Sequence, residues 1–105
     1  MVLSENIIKI IDQNEKVILS DVPFKDLLVD FKSAHILTYD EVKLLQKCSS
    51  NKETGLEFLE ILKKRNNRLF FEFCEILKSS TVESIQEVGK NLQNIASNTM
   101  EVGYG

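Results

Sequence analysis

The chain has one histidine, one proline, two cysteines, four glycines and no tryptophan in 105 residues. Each scarcity excludes something. With a single imidazole, His35, a nucleophile and base pair or half of a zinc site could form only with Cys48 or Cys74. No Cys-x-x-Cys or His-x-x-x-His spacing supports either. The two thiols do not make a disulfide framework, and no Asn-x-Ser/Thr acceptor occurs, so a reducing cytoplasm is the expected home. So few Gly and Pro leave too few breakers for a turn-rich all-β chain, and Gly55, Gly89, Gly103 and Gly105 are too scattered for a phosphate-binding loop. Apolar runs stop at three residues, as in Val17-Ile18-Leu19. Such runs can neither cross a bilayer nor form the apolar core of a signal peptide. A net charge of −3 gives no global field for nucleic acid or an anionic membrane, so a polyanion would need a local patch. The expectation is a cytoplasmic, non-enzymatic chain that binds neither cofactor, metal, nucleic acid nor membrane.

What is present is helical periodicity. At 43% hydrophobic and 28% charged there is enough apolar material for one core, and the length allows only one. From Ser4 to Leu19, Ile7, Ile8, Ile11 and Ile18 recur at helical spacing behind a Ser4 cap, and Asn14 interrupts them, so a bend is expected there. Asp21 ahead of Val22-Pro23 reads as the start of a second helix burying Phe24, Leu27, Leu28 and Phe31. Thr38-Tyr39-Asp40-Glu41 has the form of a capping box opening a third helix to Lys47, which buries Val42 and Leu45, with Leu44 as a further candidate. A fourth buries Leu56, Leu59 and Ile61 or Leu62 and closes on Lys63-Lys64-Arg65. A fifth, from Arg68 to Lys78, buries Leu69, Phe70, Phe73, Cys74 and Leu77. A sixth, from Val82 to Ile95, buries Val82, Ile85, Val88, Leu92 and Ile95. Short polar connections imply an all-α, six-helix antiparallel bundle over 1–98, followed by a flexible tail, 99–105.

Two stretches carry a family resemblance. Leu27 to Glu41, with Ile36-Leu37-Thr38 between two helices, resembles the second helix, connector and acidic third-helix start of caspase-recruitment domains (CARDs) of the death-fold superfamily. Phe58 to Leu77, with Lys63-Lys64-Arg65-Asn66 ahead of Phe70-Phe71-Glu72-Phe73-Cys74, is similar to that family's fourth and fifth helices. The chain lacks the Arg-x-Asp-Leu signature of death-effector domains and the tryptophan common in death domains. Where the family has glycine, this chain has Asn66, which implies a left-handed turn residue at that position.

The resemblance implies homotypic recruitment: binding another CARD or a further copy, clustering a linked effector such as a caspase in apoptotic or innate-immune signalling, and possible growth into filaments. It points to an acidic docking face of Asp21, Asp26, Asp30, Asp40 and Glu41, and to a basic one of Lys9, Lys16 and Lys52. The fourth helix departs from the family, since Glu53, Glu57 and Glu60 stand beside the single Lys52. A further cluster, Lys63, Lys64, Arg65 and Arg68, is read either as satisfying helix carbonyls or as a second contact. Phe71 falls off the apolar stripe and is expected to be an exposed interface anchor. A decoy that caps assemblies, a caspase prodomain, and a nucleic-acid- or lipid-binding bundle using the Lys63 to Arg68 cluster are the alternatives.

Overall fold

The computed structural model describes residues 4–102, and side chains within 4–98. Every regular element among the described residues is helical: α1 (Glu5–Gln13), α2 (Glu15–Asp21), α3 (Phe24–Ser33), α4 (Tyr39–Gln46), α5 (Asn51–Lys63), α6 (Asn67–Lys78) and α7 (Glu83–Val102). There are therefore seven helices where the sequence pattern gave six. The extra one arises at Asn14, where the expected bend is a full break. Its side-chain amide donates to the Ile10 carbonyl at 2.8 Å, and its backbone N–H shares the Ile10 and Ile11 carbonyls. A side chain that competes for the helix's own acceptors ends the helix there.

The core is built on phenylalanine. The rings of Phe31 and Phe58 stack at 4.4 Å, while Phe24 lies 5.5 Å from Phe58 and Phe73 5.2 Å, so one aromatic cluster joins α3, α5 and α6. All four rings are fully buried, and such pairs add about 0.5–1.5 kcal/mol each beyond area burial. Helices α6 and α7 pack most intimately, and Gly89 allows it: a Cβ there would stand 2.8 Å from the Cys74 carbonyl oxygen and 2.9 Å from the Lys78 nitrogen. Those are backbone atoms and cannot give way. A residue that costs helix propensity is thus set where two helix backbones nearly touch.

Several expected core positions lie elsewhere. Leu44, Leu56, Val82 and Ile95 are exposed. In α5 the buried stripe runs through Thr54, Gly55, Phe58, Leu59 and Leu62, which turns Leu56 outward. Val82 precedes α7 rather than entering it, and the inward stripe of that helix is Ile85, Val88, Leu92 and Ala96. Helix α7 continues past Ile95 to Val102, so the first part of the stretch read as a tail is helical in its backbone; residues 103–105 lie outside the described residues.

The connections are chemically specific. His35 has φ 64°, the left-handed position after α3. The Ile36 N–H reaches the Phe31 carbonyl at 2.9 Å and the His35 N–H that of Lys32 at 3.0 Å, a Schellman closure. The left-handed residue is therefore His35 and not Asn66. Asn66 is extended at φ −83°, ψ 168°, and caps α6 by accepting from the Leu69 N–H. The Thr38 to Glu41 capping box is formed in both directions.

Candidate interaction surface

The residues from which a docking face was expected divide into charges that the fold consumes and charges that it leaves free. Glu41 belongs to the first group. Besides closing the capping box, its carboxylate takes both oxygens to the Arg65 guanidinium, while Arg65 Nε donates to the Ile36 carbonyl at 3.1 Å. Arg65 thus fastens the end of α5 to the α3–α4 connector. Burial pushes the Glu41 carboxyl up, but the Arg65 hydrogen bonds, the Thr38 backbone bond and the Arg65 charge outweigh it and hold the group below its ordinary value. Each side chain of this pair is only about a quarter exposed, so Glu41 is engaged within the fold.

The basic cluster at the same corner is dispersed by similar pairings. Lys63 reaches Asp12 on α1 at 2.7 Å and Glu60 at 3.5 Å. The Asp12 bond is the largest cause of its raised pKa, opposed by burial and helped by both carboxylate charges. With Lys63 and Arg65 engaged, only Lys64 and Arg68 stand exposed. Among the described residues the carbonyl that one of these cations reaches belongs to the connector: Arg65 donates to Ile36.

Phe71 is likewise not the exposed anchor expected. It is half-buried, packs against the core and meets Phe70 edge-on at 5.5 Å. Cys74 is fully buried, and burial first, then the neighbouring Glu75 charge, push its thiol up to about 12. Such a thiol is no nucleophile at neutral pH. No three His, Cys, Asp or Glu side chains come together in a cluster that could hold a metal ion, and no helix is long and apolar enough to cross a membrane, among the described residues.

The free acids lie on α3 and at the start of α4. Asp26 and Asp30 are one turn apart on the outer side of α3, and Asp40 sits in the first turn of α4, where a carboxylate favours the helix dipole. All three are exposed, and none has an ion-pair or side-chain hydrogen-bond partner among the described residues. Asp21 is exposed too, but it ends α2 and does not cap α3. That role falls to Asn51, which no local pattern marked. Its Oδ1 accepts from the Phe24 N–H at 2.8 Å, and its Nδ2 donates to the Val22 carbonyl at 2.8 Å and that of Leu19 at 3.3 Å. Nothing local in the sequence signals this role, since all three partners are more than 25 residues away.

Lys9 on α1, Lys16 on α2 and Lys52 at the start of α5, the expected basic face, are all exposed, on helices that pack α1 against α2 and α2 against α5. The outward face of α5 carries Glu53, Glu57 and Glu60 together with Leu56, as the departure in the sequence suggested.

The chain is similar to Caspase-2 of Gallus gallus, 26% identical over 76 residues, which span 72% of this chain and 18% of that protein. No family model matches it, and no solved structure matches it.

Proposed function

We propose that the chain is a CARD-type recruitment module that captures a partner domain through the carboxylates of α3 and α4 and so concentrates a linked effector. The observation that carries this reading is the contrast in charge use: Asp26, Asp30 and Asp40 are exposed and have no side-chain partner among the described residues, whereas two of the four cations of the α5–α6 corner, Lys63 and Arg65, are paired inside the fold. The similarity to Caspase-2 supports it, as does the resemblance of Leu27 to Glu41 and Phe58 to Leu77 to the CARD family. No bond is made or broken by the domain; proximity supplies the effect. The setting is apoptotic or innate-immune signalling in the cytoplasm. A decoy or a caspase prodomain would use the same surface. A nucleic-acid- or lipid-binding bundle is disfavoured, because its proposed cluster retains only two unpaired cations and each phosphate contact needs one.

The test is capture of the purified chain by the aligned segment of Gallus gallus Caspase-2 and by a second copy of itself, with negative-stain microscopy for filaments. Asp30→Lys combined with Asp40→Lys should abolish capture or assembly and leave the helical circular dichroism unchanged. Unimpaired capture by the double variant rejects the acidic-face assignment.

A further inference from the structure

Five serines or threonines have an acid three residues on: Thr38, Ser50, Thr54, Ser80 and Ser84. Acids placed just after the hydroxyl are what an acidophilic serine/threonine kinase reads, because its basic cleft selects substrates by charge pattern. The five are not equal. Thr54 is fully buried, and its hydroxyl donates to the Ser50 carbonyl at 2.8 Å. Ser50, Ser80 and Ser84 have Lys52, Val82 and Gln86 two residues on, where Thr38 has a second acid, Asp40. Thr38 is exposed, and its backbone is extended at φ −83° and ψ 167°, outside α4. The residues after it form the first turn of an eight-residue helix, and end turns are the parts of a helix that open most readily.

The surroundings of Thr38 set it apart further. Its Oγ1 accepts from the Glu41 N–H at 3.2 Å, and its own N–H donates to Glu41 Oε1 at 2.9 Å. That same oxygen is held by the Arg65 guanidinium, so the guanidinium is two contacts from Thr38. A phosphate ester on Oγ1 would bring about −1.5 to −2 charges and three acceptor oxygens into a space already shared by one carboxylate and one guanidinium. The carboxylate is repelled, while the planar fork of Arg65 meets phosphate oxygens in two bonds as it does a carboxylate.

We propose that Thr38 is a phosphorylation site for an acidophilic serine/threonine kinase, and that its phosphate takes Arg65 from Glu41, exchanging one latch for another at the α3–α4 connector. In the transfer, Thr38 Oγ1 forms a bond to the γ-phosphorus of ATP and the bond from that phosphorus to the β–γ bridging oxygen breaks. ADP leaves with the electron pair, and the hydroxyl proton passes to the kinase's carboxylate base. The modification stands whether or not the acidic side docks a partner, and so goes beyond the recruitment reading.

The purified full chain is incubated with casein kinase 2 and magnesium ATP, and the phosphate is located by mass spectrometry of peptides. A single phosphate at Thr38 is expected, absent from Thr38→Val. Because Thr38→Val also removes a helix cap, Asp40→Asn supplies the second variant: it leaves the capping box in place and should slow the initial rate about threefold, the scale of one exposed charge pair. No incorporation, incorporation chiefly at Ser50, Ser80 or Ser84, or a rate indifferent to Asp40→Asn overturns the site. The exchange is read from the phosphorus resonance of the modified chain. Its second ionisation, ordinarily near about 6, should fall at lower pH in the wild type than in Arg65→Ala, by about one unit for a neighbouring cation. The wild-type Arg65 Nε–H resonance should also move on phosphorylation, a readout that needs no variant. Identical midpoints, or an Arg65 resonance that stays in place, overturn the exchange.

Discussion

The corner where α5 meets α6 gathers four cations, and the outer sides of α3 and α4 carry Asp26, Asp30 and Asp40 among Lys25, Lys32 and Lys43; the fold pairs two of the four cations and none of the three acids among the described residues. At the corner, Arg65 reaches Glu41 and the Ile36 carbonyl, and Lys63 reaches Asp12. On the acidic side, Asp26, Asp30 and Asp40 reach nothing within the described chain. The difference teaches that density of charge in a sequence says little about charge available for binding. The deciding quantity is whether an opposite group lies within reach once the helices are packed, and here the partners are 24 residues apart for Arg65 and Glu41 and 51 for Lys63 and Asp12.

That contrast can be broken from either end. The largest effect is expected at the corner. Arg65→Ala leaves a mostly buried carboxylate and a connector carbonyl without their donor, and should lower stability by about 2–3 kcal/mol in urea unfolding. Next comes Phe71→Ala, at about 2 kcal/mol, roughly half the loss of a fully buried ring; no change in thermal midpoint would return Phe71 to the surface. A pH series sharpens the Arg65 result. Because the Glu41 carboxyl is held below its ordinary value in the fold, the stability it contributes is present above that ordinary value and is lost as pH falls through the folded pKa. The gap between wild type and Arg65→Ala should therefore narrow in acid to the part due to the Ile36 carbonyl, and a gap that acid leaves unchanged would show that the ion pair is not its cause. Lys63→Ala should cost no more than about 1 kcal/mol, since its Asp12 partner is half exposed. Smallest of all, Asp30→Lys with Asp40→Lys should move the urea midpoint by less than about 0.5 kcal/mol equivalent.

Much of the helix pattern was legible because it is local. The stripes of α3 and α6, the Ser4 cap and the Thr38 to Glu41 box are written within a few residues of one another. Errors arose where the deciding partner was distant. Asn51 gave no local sign that it would serve three backbone groups of the α2–α3 junction. Gly89 read as a stray glycine until α6 lay against it. Asn66 can adopt a left-handed turn, but an extended cap for α6 suits it equally, and His35 supplied the left-handed residue at a different turn. Phe71 fell off its own helix's stripe yet still packs against the core that the other helices complete. For the interaction surface, periodicity placed Asp26, Asp30 and Asp40 on outward positions correctly, but it could not separate them from Glu41, whose role depends on a guanidinium from another helix.

The most direct measurement of the account is the affinity of partner capture at low salt for two charge-reversed chains, Asp30→Lys with Asp40→Lys and Lys64→Glu with Arg68→Glu, both checked for wild-type helical content. Loss of capture in the first with near wild-type affinity in the second is the predicted result; the reverse pattern would place the working surface at the basic corner and contradict the account.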